Sequence, residues 1–392
     1  MEKEKSLFGI KELIGIVIIT TLVSFFAGFS IKQSNNIKTD LSNYENEIIS
    51  NYKYILENSY KNVNGRDLVS AAIKGMIDCL EDPYADYINV SDVDNFNLII
   101  NGQYQGIGVQ IGYNENKEPV ITYVFPSSPA DNSGLKINDI LVSIEDIKVS
   151  NKTLDEIKDI VNGFDGEFKV SYKRDEKQYE TILKREIVTV KSVVKNLYER
   201  ENKKIGYIKL TNFAANSYEQ FKETLESLES DDIESLIIDL RDNTGGQLRT
   251  VDNIVSLFID ENNVIYQMKE KGKITKYYSH GNNNRKYPIV VLVNENSASA
   301  SELMTGALKE VYNATIIGVN TYGKGTAQEV RTLENGEQYK FTTREWLTAK
   351  GNSIEKVGIE PNIKVEQDSK YFNEPTEEND AQLQSAITFL CK

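Results

Sequence analysis

Cysteine and histidine are nearly absent from this chain, and each absence removes a class of chemistry. Its two cysteines, Cys79 and Cys391, stand 312 positions apart with no CxxC or Cys/His spacing. That argues against a zinc site and against a dense disulfide framework, and both read as ordinary thiols. His280 is the single histidine, so a histidine-based metal site is excluded by count. A Ser-His-Asp triad would have to run through that one residue, set in the polar stretch from Tyr277 to Arg285, where an exposed loop residue is the simpler reading. Positive charge is also in deficit: 45 Lys and Arg against 59 Asp and Glu leave a net charge of −14. No Lys/Arg block interleaved with aromatics overcomes that locally, so nucleic acid is not an expected partner. Internal repeats and low-complexity tracts are missing as well.

The 392 residues exceed a single ordinary core, and about 150 residues per domain gives two or three units. With 40% hydrophobic and 27% charged residues the composition is globular rather than disordered. Residues 13–31, LIGIVIITTLVSFFAGFSI, form nineteen uncharged, mostly apolar positions, the length needed to cross a hydrocarbon layer of about 30 Å. Ala27, Gly28 and Ser30 make a poor small-residue cleavage site, so the span reads as a retained anchor rather than a cleaved leader. Lys3, Lys5 and Lys11 precede it, which places the bulk of the chain outside the cytoplasm.

Beyond a polar linker, Tyr44 to Tyr60 and Leu68 to Leu80 carry apolar residues at helical intervals, the second pattern stopping at Asp82-Pro83. From Asn101 to Lys184 the period falls towards two, in short β-rich runs separated by Gly, Asn and Pro turns. From Ile205 to about Val365, strands such as SLIIDL and PIVVLV alternate with helical patterns at Tyr218 to Leu228, Val251 to Phe258 and Ser301 to Tyr312. That alternation implies an α/β layer structure, and the near-continuous apolar strands are candidates for its centre. The expected fold is a multidomain α/β one. It comprises an anchor over 1–35, a helical N-terminal unit over 36–91, a β-rich module over 92–186, an α/β core over 187–370 and a helical tail over 371–392.

Two loops in that core carry chemistry. After PIVVLV comes Asn294-Glu295-Asn296-Ser297-Ala298-Ser299-Ala300-Ser301-Glu302, and a helical pattern follows. A serine at a strand-to-helix turn can expose its hydroxyl where the unpaired N–H groups of the helix face a developing oxyanion. Ser299 with Glu302 also fits a capping box. The second loop, Gly323-Lys324-Gly325-Thr326-Ala327-Gln328, follows the strand TIIGV. Lysine acts as a general base when burial lowers its pKa, and flanking glycines allow close backbone packing around it. Gln328 stands where it can orient that amine. Gly318, Gly323 and Lys324 match GxxxxGK, but Gly325 occupies the Ser/Thr position a P-loop needs and no helix starts there. Nucleotide binding is not expected.

Together these segments resemble the carboxy-terminal processing proteases, serine peptidases with a Ser-Lys dyad and an inserted PDZ domain, over roughly Tyr44 to the C-terminus. The resemblance implies Ser299 as nucleophile, Lys324 as general base and Gln328 as the residue positioning the lysine, with no cofactor and no metal. Asp239-Leu240-Arg241-Asp242-Asn243-Thr244-Gly245-Gly246 is similar to the family segment whose glycines supply one oxyanion donor. The hole is therefore expected from Gly245 or Gly246 together with the Ala300 amide, while a glycine turn ending SLIIDL is an equally compatible reading. Within the β-rich module, Ser127-Ser128-Pro129-Ala130, Gly134 to Leu141 and the loop Gly106-Ile107-Gly108-Val109 resemble a PDZ domain. That loop type captures a peptide carboxylate while the peptide adds to the sheet edge; two glycines marking a bulge is the plainer alternative. Thr244, Ala349 and Asn362 depart from family preference at positions outside the dyad. The expected activity is endopeptidase cleavage of extracytoplasmic proteins near apolar C-termini, with the PDZ module binding the tail or gating the site. The resemblance extends to the closing helix, which in the family can build a dimer interface, and a homodimer or a regulatory partner is expected on that basis. The rival expectation is a membrane-tethered, non-catalytic adaptor that binds peptide tails.

Overall fold

The computed structural model describes residues 41–282 and 285–392, so the apolar span over 13–31 lies outside the described residues. Among those described, no helix is long and apolar enough to cross a membrane. The chain divides into two units, one ending at Glu81 and one beginning at Asp82. The described part of the first is helical: α1 covers 41–58 and α2 covers Gly65–Asp78. Asn64 caps α2 by accepting from the Arg66 N–H at 2.9 Å. On α1, Tyr44, Ile48, Ile49 and Ile55 are exposed.

The second unit opens with β1 (Asp86–Ile88), α3 (Val90–Ile100) and β2 (Gln103–Gly106). The sequence reading did not separate α3 from its neighbours. Its apolar residues cluster at its end (Phe96, Leu98, Ile99, Ile100) and it buries none of its residues fully, so helical periodicity is weak there. Asp82 and β1 group with the second unit, because β1 pairs with a strand of the core described below.

The β-rich module is built from β3 (Val109–Tyr113), β4 (Pro119–Val124), the short α4 (Pro129–Asn132), β5 (Ile140–Ile144), β6 (Ile147–Lys148), α5 (Leu154–Asn162), β7 (Glu167–Arg174) and β8 (Lys177–Lys184). Its strands run in the order β3-β4-β5-β7-β8, which leaves β3 at an edge. Alternate apolar residues, among them Ile121, Leu141, Ile144, Phe168 and Val170, share one core with Ile157 of α5. The helix starts where the sequence places it: the Thr153 hydroxyl accepts from the Glu156 N–H at 3.2 Å and Glu156 accepts from the Thr153 N–H at 2.8 Å. On leaving the module, β9 (Glu186–Thr189) pairs antiparallel with β2 to form a two-stranded stalk.

The core begins with β10 (Val193–Arg200), β11 (Lys203–Leu210), α6 (Ser217–Ser230), β12 (Ser235–Asp239) and α7 (Leu248–Val255). It continues through β13 (Val264–Glu270), β14 (Lys273–Tyr278), β15 (Ile289–Val293), α8 (Ala300–Ala307) and β16 (Thr315–Gly318). A single π-type turn, Leu308–Tyr312, extends α8. Then follow β17 (Thr326–Thr332), β18 (Gln338–Leu347), β19 (Ile363–Lys364), α9 (Ser369–Asn373) and α10 (Ala381–Cys391). The central sheet has the order β10-β11-β12-β15-β16-β19, with only the β10–β11 pair antiparallel. Every residue of β12 and β15 is buried, as their near-continuous apolar sequences require of strands covered on both faces.

The period-two geometry sorts these residues between two cores. Leu236, Ile238, Val291 and Val293 pack with Phe221 and Leu225 of α6 and with α7 and α8, whereas Ile237, Val290, Leu292 and Ile317 pack with Leu383, Ala386, Ile387 and Leu390 of α10. Arg241 pins α10 in place: buried at 6% exposure, it makes bidentate contacts with Asp239 and with Asp380 at 2.6–2.9 Å. A second sheet, β1-β18-β13-β14 with β17 also on β18, stands beside the first. The two chemical loops thus leave the C-terminal ends of the parallel strands β15 and β16, where α/β sheets place ligands.

Candidate active site

Three serines stand at the start of α8, Ser297 and Ser299 before it and Ser301 in its first turn, and their surroundings assign them different work. Ser297 is fully buried; its hydroxyl donates to the Leu240 carbonyl at 2.8 Å and accepts from the Asn294 N–H. The Ser301 hydroxyl donates to the Asn243 carbonyl at 2.7 Å. Both tie the turn to the end of β12. Ser299 is half-buried, lines a cleft, and has φ +54° and ψ −113°, a region that a residue with a Cβ rarely occupies and that costs of order 1–3 kcal/mol. The chain holds that strain by clamping the residue on both sides.

One clamp is Gly245, at φ +106°, where an added Cβ would come within 2.9–3.0 Å of Ala298 O, Ala300 N and Ser299 Cβ. The other is Glu302, fully buried, whose Oε2 accepts from the Ser299 N–H at 2.8 Å. This is one arm of the capping box read from the sequence, but the carboxylate reaches further. Its Oε2 also accepts from the Lys324 N–H at 2.9 Å, and its Oε1 accepts from the Gly323 N–H and the Thr321 hydroxyl, each at 2.6 Å. Burial pushes the Glu302 carboxyl above its ordinary range and these four donors act against that rise. Glu302 therefore joins the serine turn to the lysine loop, a role that sequence reasoning missed because a capping box predicts only the local bond.

The lysine loop is held along its length. Gly325 N–H donates to Glu355 at 2.8 Å, and the Lys324 carbonyl accepts from the Trp346 indole at 2.9 Å. At Gly323, a Cβ would meet the backbone of residues 356–358 at 2.9–3.1 Å, which is the close packing the glycine pair predicted. Lys324 is half-buried, and burial pushes its amine below the ordinary lysine range; the nearby charge of Lys340 adds to this, while Asp82, Glu355 and Glu302 act the other way. Its Nζ lies 3.9 Å from the centroid of the Tyr84 ring. Asp82, whose carboxylate accepts from the Thr342 N–H at 2.7 Å, anchors the Asp82-Pro83-Tyr84 segment beside the lysine.

Ser299, Lys324, Gln328, Gly245 and Gly246 line one cleft of about 590 Å³, walled by apolar residues including Phe96, Ile99, Phe213, Leu248 and Trp346. No hydrogen bond joins Ser299 to Lys324, and the Gln328 amide donates to the Thr342 hydroxyl at 2.9 Å rather than to the lysine. The two glycines differ. Gly245 N–H is already spent on the Asn243 side chain at 2.9 Å, whereas the Gly246 and Ala300 N–H groups find no acceptor among the described residues. Gly246, at φ +150°, lies against the Phe213 backbone so closely that a Cβ would sit 2.5–3.0 Å from it.

Other sequence expectations are placed elsewhere. His280 is exposed, 3.2 Å from the Ser256 hydroxyl, and does not line the cleft. The GxxxxGK stretch leads into the strand β17 rather than into a helix. In the β-rich module, Gly106 ends β2, Ile107 is buried, and Val109 begins β3. Gly108, at φ +86°, packs against Ser128, where a Cβ would come within 2.1 Å. The Ile107 and Gly108 carbonyls accept from Ala130 and Phe125 at 2.8 and 2.9 Å, leaving the free edge of β3 beside the loop.

Three family models match the chain: peptidase family S41 over residues 204–365, the PDZ domain over 105–184, and the N-terminal domain of the activating protease CtpB over 25–92. A probable CtpA-like serine protease of Staphylococcus aureus is 33% identical over 361 residues, 90% of this chain and 71% of that protein. The carboxy-terminal processing protease CtpB of Bacillus subtilis is 32% identical over 326 residues, 82% of this chain and 68% of its own length. Among solved structures, the photosystem II D1 C-terminal processing protease matches with a TM-score of 0.50 at 24% identity, covering 80% of this chain and 85% of that one. An S41 protease from Bacteroides fragilis matches with 0.54 at 14%, covering 82% and 89%; these two likenesses speak to the fold. Taken with the serine and lysine loops meeting in one cleft, the matches establish that the chain belongs to peptidase family S41, as a PDZ-containing homologue of the CtpA and CtpB carboxy-terminal processing proteases.

Proposed function

We propose that the chain is a serine endopeptidase in which Ser299 is the nucleophile, Lys324 the general base, and the Gly246 and Ala300 N–H groups the oxyanion hole. The observation that carries this reading is the strained Ser299, held by Gly245 and Glu302 in the same cleft as a half-buried lysine. A strained serine at a helix start has its hydroxyl presented and its neighbouring amides unspent, the arrangement acyl transfer needs. In the reaction the Lys324 amine leaves the face of Tyr84 and takes the Ser299 proton as Oγ attacks the scissile carbonyl. The oxyanion forms against the two amides. Lys324 then returns the proton to the departing amine, and water, deprotonated by the same lysine, releases the acyl group. Gln328, bonded to Thr342, orders the wall behind the lysine.

The substrates are proteins outside the cytoplasm, cut near apolar C-termini, with residues 13–31 anchoring the chain in the membrane. The PDZ module presents the tail or gates the cleft. The helix leading into its stalk supports that coupling: the Ile100 carbonyl at the end of α3 accepts from the Gln247 amide at 2.8 Å and from the Ala215 N–H at 3.1 Å, and Gln247 directly follows Gly246. The test uses the full chain, wild type and Ser299→Ala, incubated with proteins of varied C-termini, with product masses read. Cleavage by wild type alone supports the reading. Cleavage by both variants removes Ser299, and cleavage by neither favours a tail-binding adaptor.

A further inference from the structure

Every ionisable side chain that lines the cleft is a cation. Arg249, Lys324 and Lys340 contribute to its wall, and no Asp or Glu does, although the chain as a whole carries a net charge of −14. A cleft of one sign with apolar walls focuses its field on whatever enters. Two of the three cations are occupied. Lys324 stands over Tyr84 at 3.9 Å, and Lys340 faces Asp86 at 3.4 Å and the Phe96 ring at 5.6 Å.

Arg249 differs from both. It is exposed, on the first turn of α7, three residues after Gly246, and among the described residues its guanidinium has no hydrogen-bond or ion-pair partner. The carboxylates that act on Lys324 are not its partners: Asp82 holds the Thr342 and Tyr84 N–H groups, Glu355 holds the Gly325 N–H, and Glu302 is fully engaged by four donors. A free guanidinium beside the expected oxyanion site presents a forked donor that matches a carboxylate.

We infer that the cleft selects peptide segments carrying a carboxylate within a few residues of the scissile bond, and that Arg249 is the group that reads it. This deepens the peptidase reading above and rests on it. The carboxylate comes either from an Asp or Glu side chain or from the free C-terminus of a short tail. Acidic chain elsewhere repels such segments, so the attraction is local to the cleft and acts on choice among substrates more than on raw affinity.

The test is a set of peptides identical except for Glu or Gln at each of three positions on either side of the cut, each made with a free or an amidated C-terminus. With wild-type protein the kcat/KM ratio of the preferred acidic peptide over its neutral match is expected to be about fivefold, the upper range for a solvent-exposed charge pair. It should fall towards one in Arg249→Gln, be partly kept in Arg249→Lys, and shrink with added salt. A Glu/Gln effect identifies a side chain, and a free-acid/amide effect the terminus. A ratio near one in wild type, or one that Arg249→Gln leaves unchanged, overturns the inference. Binding of the same peptides to Ser299→Ala, read by fluorescence anisotropy, reports the preference without turnover. Loss of cleavage with the binding preference intact therefore overturns the peptidase reading alone, and loss of the preference overturns this one.

Discussion

Glu302 offers the sharpest test of how the site is assembled, because one buried carboxylate collects four donors from two loops that are distant in sequence. Replacement by Gln keeps one acceptor oxygen and substitutes an NH2 for the other. The amide avoids the side facing the Ser299 and Lys324 N–H groups, since there it would orphan two backbone donors. Turned the other way, it opposes the Gly323 N–H and the Thr321 hydroxyl. The hydroxyl can turn and accept from the amide with the lone pair left free by its bond from the Ile359 N–H at 2.6 Å, but the Gly323 N–H, a donor only, then faces an NH2. At least one buried donor is left unmade, at about 1–3 kcal/mol. Glu302→Gln is therefore expected to lose about 2 kcal/mol of stability while keeping the serine and lysine loops joined, and to retain part of its activity. Glu302→Ala orphans all four donors and opens a cavity, costing about 3–5 kcal/mol, and frees Ser299 to relax from φ +54°. Urea midpoints at constant m, together with kcat/KM measured where each variant is folded, separate the two effects. Equal activity losses in the two variants would refute the argument, as would a wild-type midpoint for Glu302→Ala.

Further outcomes follow from the same geometry. Because burial lowers the Lys324 pKa and Lys324, as the proposed base, must be neutral, kcat/KM should rise with pH on a single limb below the ordinary lysine value. Lys340→Met removes the neighbouring positive charge and should move that limb to higher pH, which a pH–rate profile would read. Gly246→Ala forces a Cβ against the Phe213 backbone and shifts a proposed oxyanion donor, so kcat should fall about 10²-fold with a smaller change in KM. Asp252 is held by burial at a pKa raised to about 6, with Tyr266 donating at 3.2 Å and the other carboxylate oxygen unpartnered. The fold therefore favours the protonated acid, and the stability it contributes is present near pH 4 and lost as pH rises through about 6. Asp252→Asn should raise the melting temperature at pH 8 by the equivalent of about 1–2 kcal/mol and leave it nearly unchanged at pH 4. A pH-independent difference would contradict this.

How far the sequence reads depends on the range of the interaction. The fully buried β12 and β15, the Thr153 capping box and the serine turn before α8 are set by neighbours a few positions away, and the apolar runs, caps and glycines that encode them are visible in the string. The family resemblance carried Ser299 and Lys324 to their loops for the same reason, since each motif is contiguous. Which of three serines faces the cleft depended on bonds to Leu240 and Asn243, more than fifty positions away from the serines, while Gly246 keeps a free N–H because the Asn243 side chain takes that of Gly245 two positions on. The helix α3 escaped notice because its apolar residues crowd one end. That Glu302 spans both loops, that Asp82-Pro83-Tyr84 sits beside Lys324, and that the Arg249 guanidinium in the cleft has neither a hydrogen-bond nor an ion-pair partner among the described residues were decided by the tertiary fold. A carboxylate's partners and a cation's solitude are properties of the space around it, and no local pattern of residues records that space.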